Sequence, residues 1–452
     1  MRNGILLLIL WLGLSMPLRA QTVENITLQE AINIALENNF QLKQATNNVE
    51  LSRTQVWGEK ADYLPSLNSS IGGSRNSGRQ FNQATGDFGD FTINDFRASL
   101  STSVPIFNGF ENINSLRSAE YGSRSLEENR EWVRENIIFQ TASNYLQLLL
   151  DKELLQIARE NLETSYQQLE QVQAQVEVGS RPTVDLYNQE AIVASNELDV
   201  TNRENALGIS RLRLIRTLQI DPRKEYEFTT PEIQADQLIR EEFDLSKLIS
   251  AALENRSDLR SEQFNIQALE YQLKATRSLL YPSLSLSASL SSSYNDRNFN
   301  PETAELFTFS DQFLDQNINR SIGLSLNIPI FNNLDRQINV ESQKVNYKNA
   351  LLSLENTRLQ VMQEVNQAYS DYQAILKELE FSEKALRAAE RSYLTQKERY
   401  EVGAGTLIEL SQANAQYIEA QSDRTSAVYN YVFQKKILDY YVGKLDENVS
   451  LN

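Results

Sequence analysis

Two acids stand at the same distance behind two glycines. In VEVGSRPTVDL, Asp185 follows Gly179 by six residues, and in YEVGAGTLIEL, Glu409 follows Gly403 by six. A carboxylate can act as a general acid or base, hold a metal, or work through its charge alone. The rest of the chain narrows the choice to the last. It contains no histidine and no cysteine, so the usual general base, the commonest metal ligand and the thiolate nucleophile are all missing. No phosphate loop and no close acid pair marks a site, and the other carboxylates are spread along helical segments as solvated faces. The expectation is a chain that is not an enzyme, with no catalytic residue, cofactor or metal. Acids gathered in a ring of one sign around a narrow opening would favour cations. The plainer alternative makes Asp185 and Glu409 exposed helix-start acids, each stabilising its helix dipole by about 0.3–1 kcal/mol.

The elements that must position these acids are legible from patterning. Residues 1–20, MRNGILLLILWLGLSMPLRA, have the form of a secretory signal peptide: Arg2, an apolar run from Ile5 to Leu14, and Ala20 before a polar stretch. The run is too short to span a bilayer, and no other window reaches the ~20 apolar residues a membrane helix needs. The formal charge of −17 becomes more negative by two when Arg2 and Arg19 leave, which disfavours nucleic acid as a partner.

An internal repeat organises the remainder. ALENN at 35–39 returns as ALENR at 252–256, the YLPSL of 63–67 as the YPSL of 281–284, PIFN at 105–108 as PIFN at 329–332, and EVG at 177–179 as EVG at 401–403. Two units follow, 21–220 and 245–443, with a linker at 221–244 and a tail at 444–452. Each is expected to run helix, two strands, long helix, tip turn, helix. Period-two alternation marks strands at Ser66–Ser74, Phe96–Ile106, Ser283–Ser293 and Ser321–Ile330, each with an apolar and a polar face. The connections within each strand pair, 75–94 and 295–318, are long, polar and acidic, unlike tight hairpins. Helical segments are expected at 28–62, 245–279, 335–401 and 407–442. The 335–401 helix carries a heptad seam through Val361, Val365, Ala368, Tyr372 and Leu379 and would be ~100 Å long. Two half-length helices stacked end to end would supply its partner. Pro65, Pro105, Pro282 and Pro329 fall where helix becomes strand or strand becomes helix, where a residue without N–H enforces the change of backbone.

Four strands with one apolar face leave two open edges, and lipid cannot satisfy a free edge. An exported chain with such strands suits an outer-membrane barrel closed by several copies. The alternative is a soluble periplasmic coiled-coil structural or adaptor protein whose strands close on themselves.

The signal peptide, the twofold repeat, the paired PIFN joints and the paired tips together resemble the TolC family of outer-membrane efflux channels, over about residues 26–443. The resemblance implies a mainly α fold with a four-stranded β contribution: a homotrimer with a 12-stranded barrel in the outer membrane of a Gram-negative bacterium and a long α-helical tunnel in the periplasm. It implies a passive exit duct of a tripartite efflux or type I secretion system, docked to a periplasmic adaptor and an inner-membrane pump or exporter. It further implies adaptor-docking tips at Val178, Gly179, Val402, Gly403 and Leu407, and a periplasmic gate of Asp185, Tyr400 and Glu409. In that gate Asp185 bonds Tyr400, with each acid about two turns into its helix. Where the family often carries an arginine two residues beyond the second tip glycine, this chain has Gly405, which implies a mouth less firmly latched.

Overall fold

The computed structural model describes residues 24–81, 86–229, 241–300, 303 and 305–444; the signal-peptide reading and nearly all of the tail lie outside them. The chain runs β1 (Glu24–Ile26), α1 (Leu28–Asn38), α2 (Phe40–Ala61), β2 (Ser66–Phe81), β3 (Phe88–Phe107), α3 (Glu111–Glu177), α4 (Thr183–Leu218), β4 (Tyr226–Phe228), α5 (Leu245–Asn255), α6 (Ser257–Ser278), β5 (Ser283–Asn295), β6 (Asn319–Asn327), α7 (Asp335–Glu401) and α8 (Leu407–Tyr441). Helices α3 and α7 are each 67 residues, roughly 100 Å at 1.5 Å per residue. The heptad seam of α7 is buried at Leu354, Val361, Val365, Ala368, Tyr372, Leu379 and Tyr400. Its partners are α5 and α6 over one half and α8 over the other.

The segments 28–62 and 245–279, expected as single helices, are each broken once. Asn39, with ψ 122, leaves the helical region, and its side chain accepts from the N–H groups of Gln41 and Leu42 to start α2 afresh. Arg256, with ψ 128, also leaves the helical region before α6, but caps it with no side-chain acceptor. Its guanidinium is held by Asp258 at 2.7 Å and by Glu364 of α7 at 2.6 Å. Each break receives the end of another helix. Gln219, just past α4, accepts from the N–H of Phe40 at 3.0 Å, and Tyr441 at the end of α8 lies under the Arg256 guanidinium. The half-length helices therefore butt end to end.

Two short strands escaped periodicity, one at the start of the first unit and one inside the expected linker. β1 and β4 pair in parallel, Ile26 opposite Phe228, and the buried Tyr145 hydroxyl lies 2.9 Å from Ile26 O and 2.7 Å from Thr229 O. This patch joins the main core of Ile32, Leu149, Leu214, Tyr372 and Tyr431.

At the far end of the long helices β2, β3, β5 and β6 form one antiparallel sheet in that order. Register puts Ile71 opposite Ala98, Leu100 opposite Leu290, and Ala288 opposite Ile322, all on one face. The opposite face is a field of hydroxyls, with Ser70 against Ser99 at 3.0 Å and Ser289 against Ser321 at 2.7 Å. β2 and β6 are the unpaired edges, and every residue of β6 is exposed.

Segment 75–94 is not the open loop that its polarity predicts. β2 and β3 continue through most of it, pairing Ser77 with Thr92, hydroxyls 2.9 Å apart, and Phe81 with Phe88. Polar residues on both faces leave no alternation to read there. β6 conversely stops at Asn327, short of Ile330, because Pro329 offers no N–H and constrains Ile328. Pro65 and Pro282 stand between α2 and β2 and between α6 and β5. Pro105 lies inside β3, where the register slips between Pro105 and Phe107, so the strand outlasts its proline by two residues. Each strand-to-helix joint then turns through left-handed residues, Gly109 and Phe110 in one, Asn333 and Leu334 in the other.

Candidate functional site

The paired turns lie at the ends of α3 and α7 remote from the sheet. Gly179 (φ 74) and Gly403 (φ 76) adopt the left-handed conformation that glycine enters at no steric cost. Around them the chain reverses through paired hydrogen bonds: Gly179 N to Val176 O and Ser180 N to Gln175 O, then Gly403 N to Tyr400 O and Ala404 N to Arg399 O. Pro182 precedes α4 as its cap residue, and Thr406 opens α8 with a capping box to Glu409.

Val178 and Val402 are each 79% exposed at the apex. Leu407 is not part of that surface. It is 2% exposed, packed with Val172, Tyr400 and Leu410 in a small tip core, because the first turn of α8 points it back at α7. The exposed apolar residues that do join the valines are Val184, Tyr187 and Ile408. The repeat held the signal: Val184 and Ile408 each stand one residue before the paired acids, whereas Leu407 aligns with Thr183.

Asp185 and Glu409 lie in the first turns of their helices rather than two turns in, since the turn itself consumes the residues after each glycine. Asp185 is paired with Arg181 at 3.6 Å, and the Arg181 guanidinium lies 4.0 Å from the centre of the Tyr400 ring. The Tyr400 hydroxyl is buried and has no hydrogen-bond partner among the described residues, so the expected Asp185–Tyr400 bond is replaced by a contact through Arg181. Burial pushes the Tyr400 hydroxyl up, Arg181 pulls it down and Asp185 pushes it up again. Arg181 has no charged counterpart in the second tip, so the repeat does not mark it. It stands two residues beyond Gly179, as Gly405 stands beyond Gly403, and it bridges α4 to α7. A Cβ on Gly405 would sit 3.3 Å from Arg399 Cβ and Tyr400 N.

Glu409 accepts from Thr406 N at 2.9 Å and Thr406 Oγ1 at 3.2 Å, while its own N–H donates to Thr406 Oγ1. These bonds, with Arg399 nearby, hold its carboxyl below the ordinary range. Among the described residues no group of ligating side chains is arranged for a metal, and no helix is long and apolar enough to cross a membrane.

The family model for outer membrane efflux proteins matches residues 31–218 and again 248–443. The chain belongs to this family. Among relatives of this efflux protein, the pyoverdine export outer membrane protein OpmQ of Pseudomonas aeruginosa is 25% identical over 399 residues, 86% of this chain and 78% of that one. The fold matches the crystal structure of CusC (TM-score 0.78, 20% identity, 92% of each chain) and of the Campylobacter jejuni CmeC outer membrane channel (TM-score 0.79, 20% identity, 94% of this chain and 87% of that one). As an outer membrane efflux protein of the TolC type, the chain resides in the outer membrane of a Gram-negative bacterium and extends into the periplasm.

Proposed function

We propose that three copies of the chain form the passive outer-membrane exit duct of a tripartite efflux or type I secretion system. One observation carries this reading: a sheet with two open edges and an apolar face that stays exposed over Leu67, Ile71, Leu100, Ile322 and Leu324 stands at one end of ~100 Å helices, and exposed apolar turns stand at the other. Edges β2 and β6 would join those of neighbouring copies, giving twelve strands around one axis and removing every free edge. The hydroxyl face would line the pore and the apolar face would meet lipid.

Residues 21–220 and 245–443 are read as two copies of one unit. The equal lengths of α1 and α5 (11 residues), α2 and α6 (22) and α3 and α7 (67) support this, as does the family match in two stretches. The tips are read as the contact for a periplasmic adaptor, which links the duct to an inner-membrane pump or exporter. Val178, Val184, Val402 and Ile408 supply its apolar surface. Asp185, Tyr400 and Glu409 belong to the gate, joined by Arg181. Movement of solute through a pore requires no chemistry from the protein, in keeping with a chain that is not an enzyme. Fractionation of cells, followed by mass measurement in mild detergent, tests the assembly. The expected species is an outer-membrane trimer of roughly 150 kDa from a chain of 51.7 kDa. A monodisperse water-soluble monomer defeats the reading.

A further inference from the structure

The connection from β5 to β6 folds back over the apolar face of the sheet. Residues Asp311–Gln316 form a single π-helical turn. It is anchored by Gln312, fully buried, which donates to Asn295 O at 2.9 Å and Phe307 O at 3.2 Å and accepts from Asn295 N at 3.1 Å. Ser292 Oγ donates to Phe313 O at 2.6 Å, and Asn317 Nδ2 to Ser293 O at 2.6 Å. With its polar groups engaged, the turn lays Phe313 against Phe96 (ring centres 5.4 Å apart) and against Phe309 (5.0 Å), and Phe309 in turn meets Tyr294 at 5.1 Å.

Beneath Phe313 and Ile318 the fold-back leaves a groove of about 380 Å³, floored by Ile71, Ala98, Leu100 and Leu290. That volume is within the ~300–1,000 Å³ of small-ligand clefts, but the walls carry no charged group. The groove's polar lining is serine alone, with Ser69 and Ser292 on this face, so a charged solute finds no counter-charge there. A hydrocarbon chain gains the burial of its surface, at ~25 cal/mol per Å².

Position and charge identify the occupant. Phe96 and Tyr294 are a cross-strand pair at the end of the apolar face away from the helices. From Ile106 to Phe96 is about 33 Å along the strand, or about 25 Å normal to a bilayer at a ~40° tilt, the height of an outer-membrane apolar band. The groove therefore opens at the outer-leaflet edge. Register sets Arg320, exposed, opposite Leu290 on this same face, a cation beside an apolar slot, where a lipid phosphate would lie. We propose that the groove binds one acyl chain of a phosphorylated, multiply acylated glycolipid of the outer leaflet, the lipopolysaccharide class, with its phosphate at Arg320. The site is complete within one chain. The inference rests on the reading that the apolar sheet face meets lipid.

The test uses the full chain extracted in mild detergent, stripped of lipid, and offered purified lipopolysaccharide or, separately, phosphatidylglycerol, with retained lipid counted by native mass spectrometry. One lipopolysaccharide per chain is expected. Occupancy should fall about tenfold in Ala98→Phe, which fills the groove, and severalfold in Arg320→Ser. Leu290→Trp, which fills the floor from another strand, serves if Ala98→Phe does not assemble. The proposal is overturned if the wild type retains none, if the filled variants retain as much as the wild type, or if phosphatidylglycerol is held equally well. A chain absent from the outer membrane defeats the proposed function. A chain inserted there without retained lipid defeats the groove alone.

Discussion

At the scale of single residues, Arg181 links the first tip to the second by lying over Tyr400, beside the apolar packing of Val172 and Leu186 against Tyr400 and Leu407. A guanidinium on a tyrosine face contributes about 0.5–2 kcal/mol, depending on how far it is desolvated. Arg181→Ala should loosen the contact of α4 with α7, leaving the Leu186 packing in place, seen as higher single-channel conductance and faster amide exchange around Tyr400. Arg181→Lys, keeping the charge but not the planar stack, should fall between. Unchanged conductance and exchange in Arg181→Ala would remove it from the gate. Glu409 gives a prediction in pH. Its carboxyl is held low by the Thr406 N–H and hydroxyl, so its contribution is present above the ordinary carboxylate range and is lost as pH falls through the lowered value. Amide protection at residues 406–410 should hold from neutral pH into the ordinary carboxylate range and decline only below it. Glu409→Gln, which keeps a capping acceptor without the charge, should show no such decline. The acids and the tip valines are visible in sequence because the repeat displays them in pairs, whereas Tyr400 stands where the first tip has Val176 and is reached only through the family resemblance. Leu407, expected at the surface, is buried, and Arg181 carries no sequence signal, because which side of a one-turn reversal a residue faces depends on where the next helix starts, and Pro182 and Thr406 set that.

At the scale of elements, the first strand-to-helix joint leaves no room for a side chain at its glycine. Gly109 has φ +68, and a Cβ there would lie 2.5 Å from Ser278 O and 2.9 Å from Tyr281 Cβ. Gly109→Ala should therefore destabilise by more than the ~1 kcal/mol of the backbone penalty alone, read as a lower temperature for dissociation of the assembly in detergent. A variant that dissociates at the wild-type temperature shows that the joint relaxes. Long elements were the easiest to foresee. A 67-residue heptad leaves bounds of α7 that proline and glycine punctuate, and serine-leucine alternation leaves little choice for β5. The breaks at Asn39 and Arg256 were hidden because each resumes helical periodicity at once, and the deciding contacts come from Gln219 and Glu364, far away in sequence. β1 and β4, three residues each, are too short for any period to register.

At the scale of the whole molecule, apolar surface is left at both ends. The tip valines make the partner contact testable without disturbing the fold, since Val178 and Val402 project into solvent. Val178→Asp with Val402→Asp should leave the outer-membrane assembly intact while export falls at least tenfold, about the effect of losing 1.4 kcal/mol of binding. Normal export by an assembled double variant would show that the apex is not the adaptor's contact. The butted helix ends bear on how such docking is felt. A column cut across the middle transmits thrust through its abutting faces but no torque, for nothing covalent crosses the cut. Between α4 and α2 the described link is one side-chain hydrogen bond, Gln219 to Phe40; the unbroken α3 and α7 are the drive shafts. A partner that twists α4 or α8 at the tip is therefore felt at the sheet through α3 and α7, against which those helices pack, and not through the cut columns.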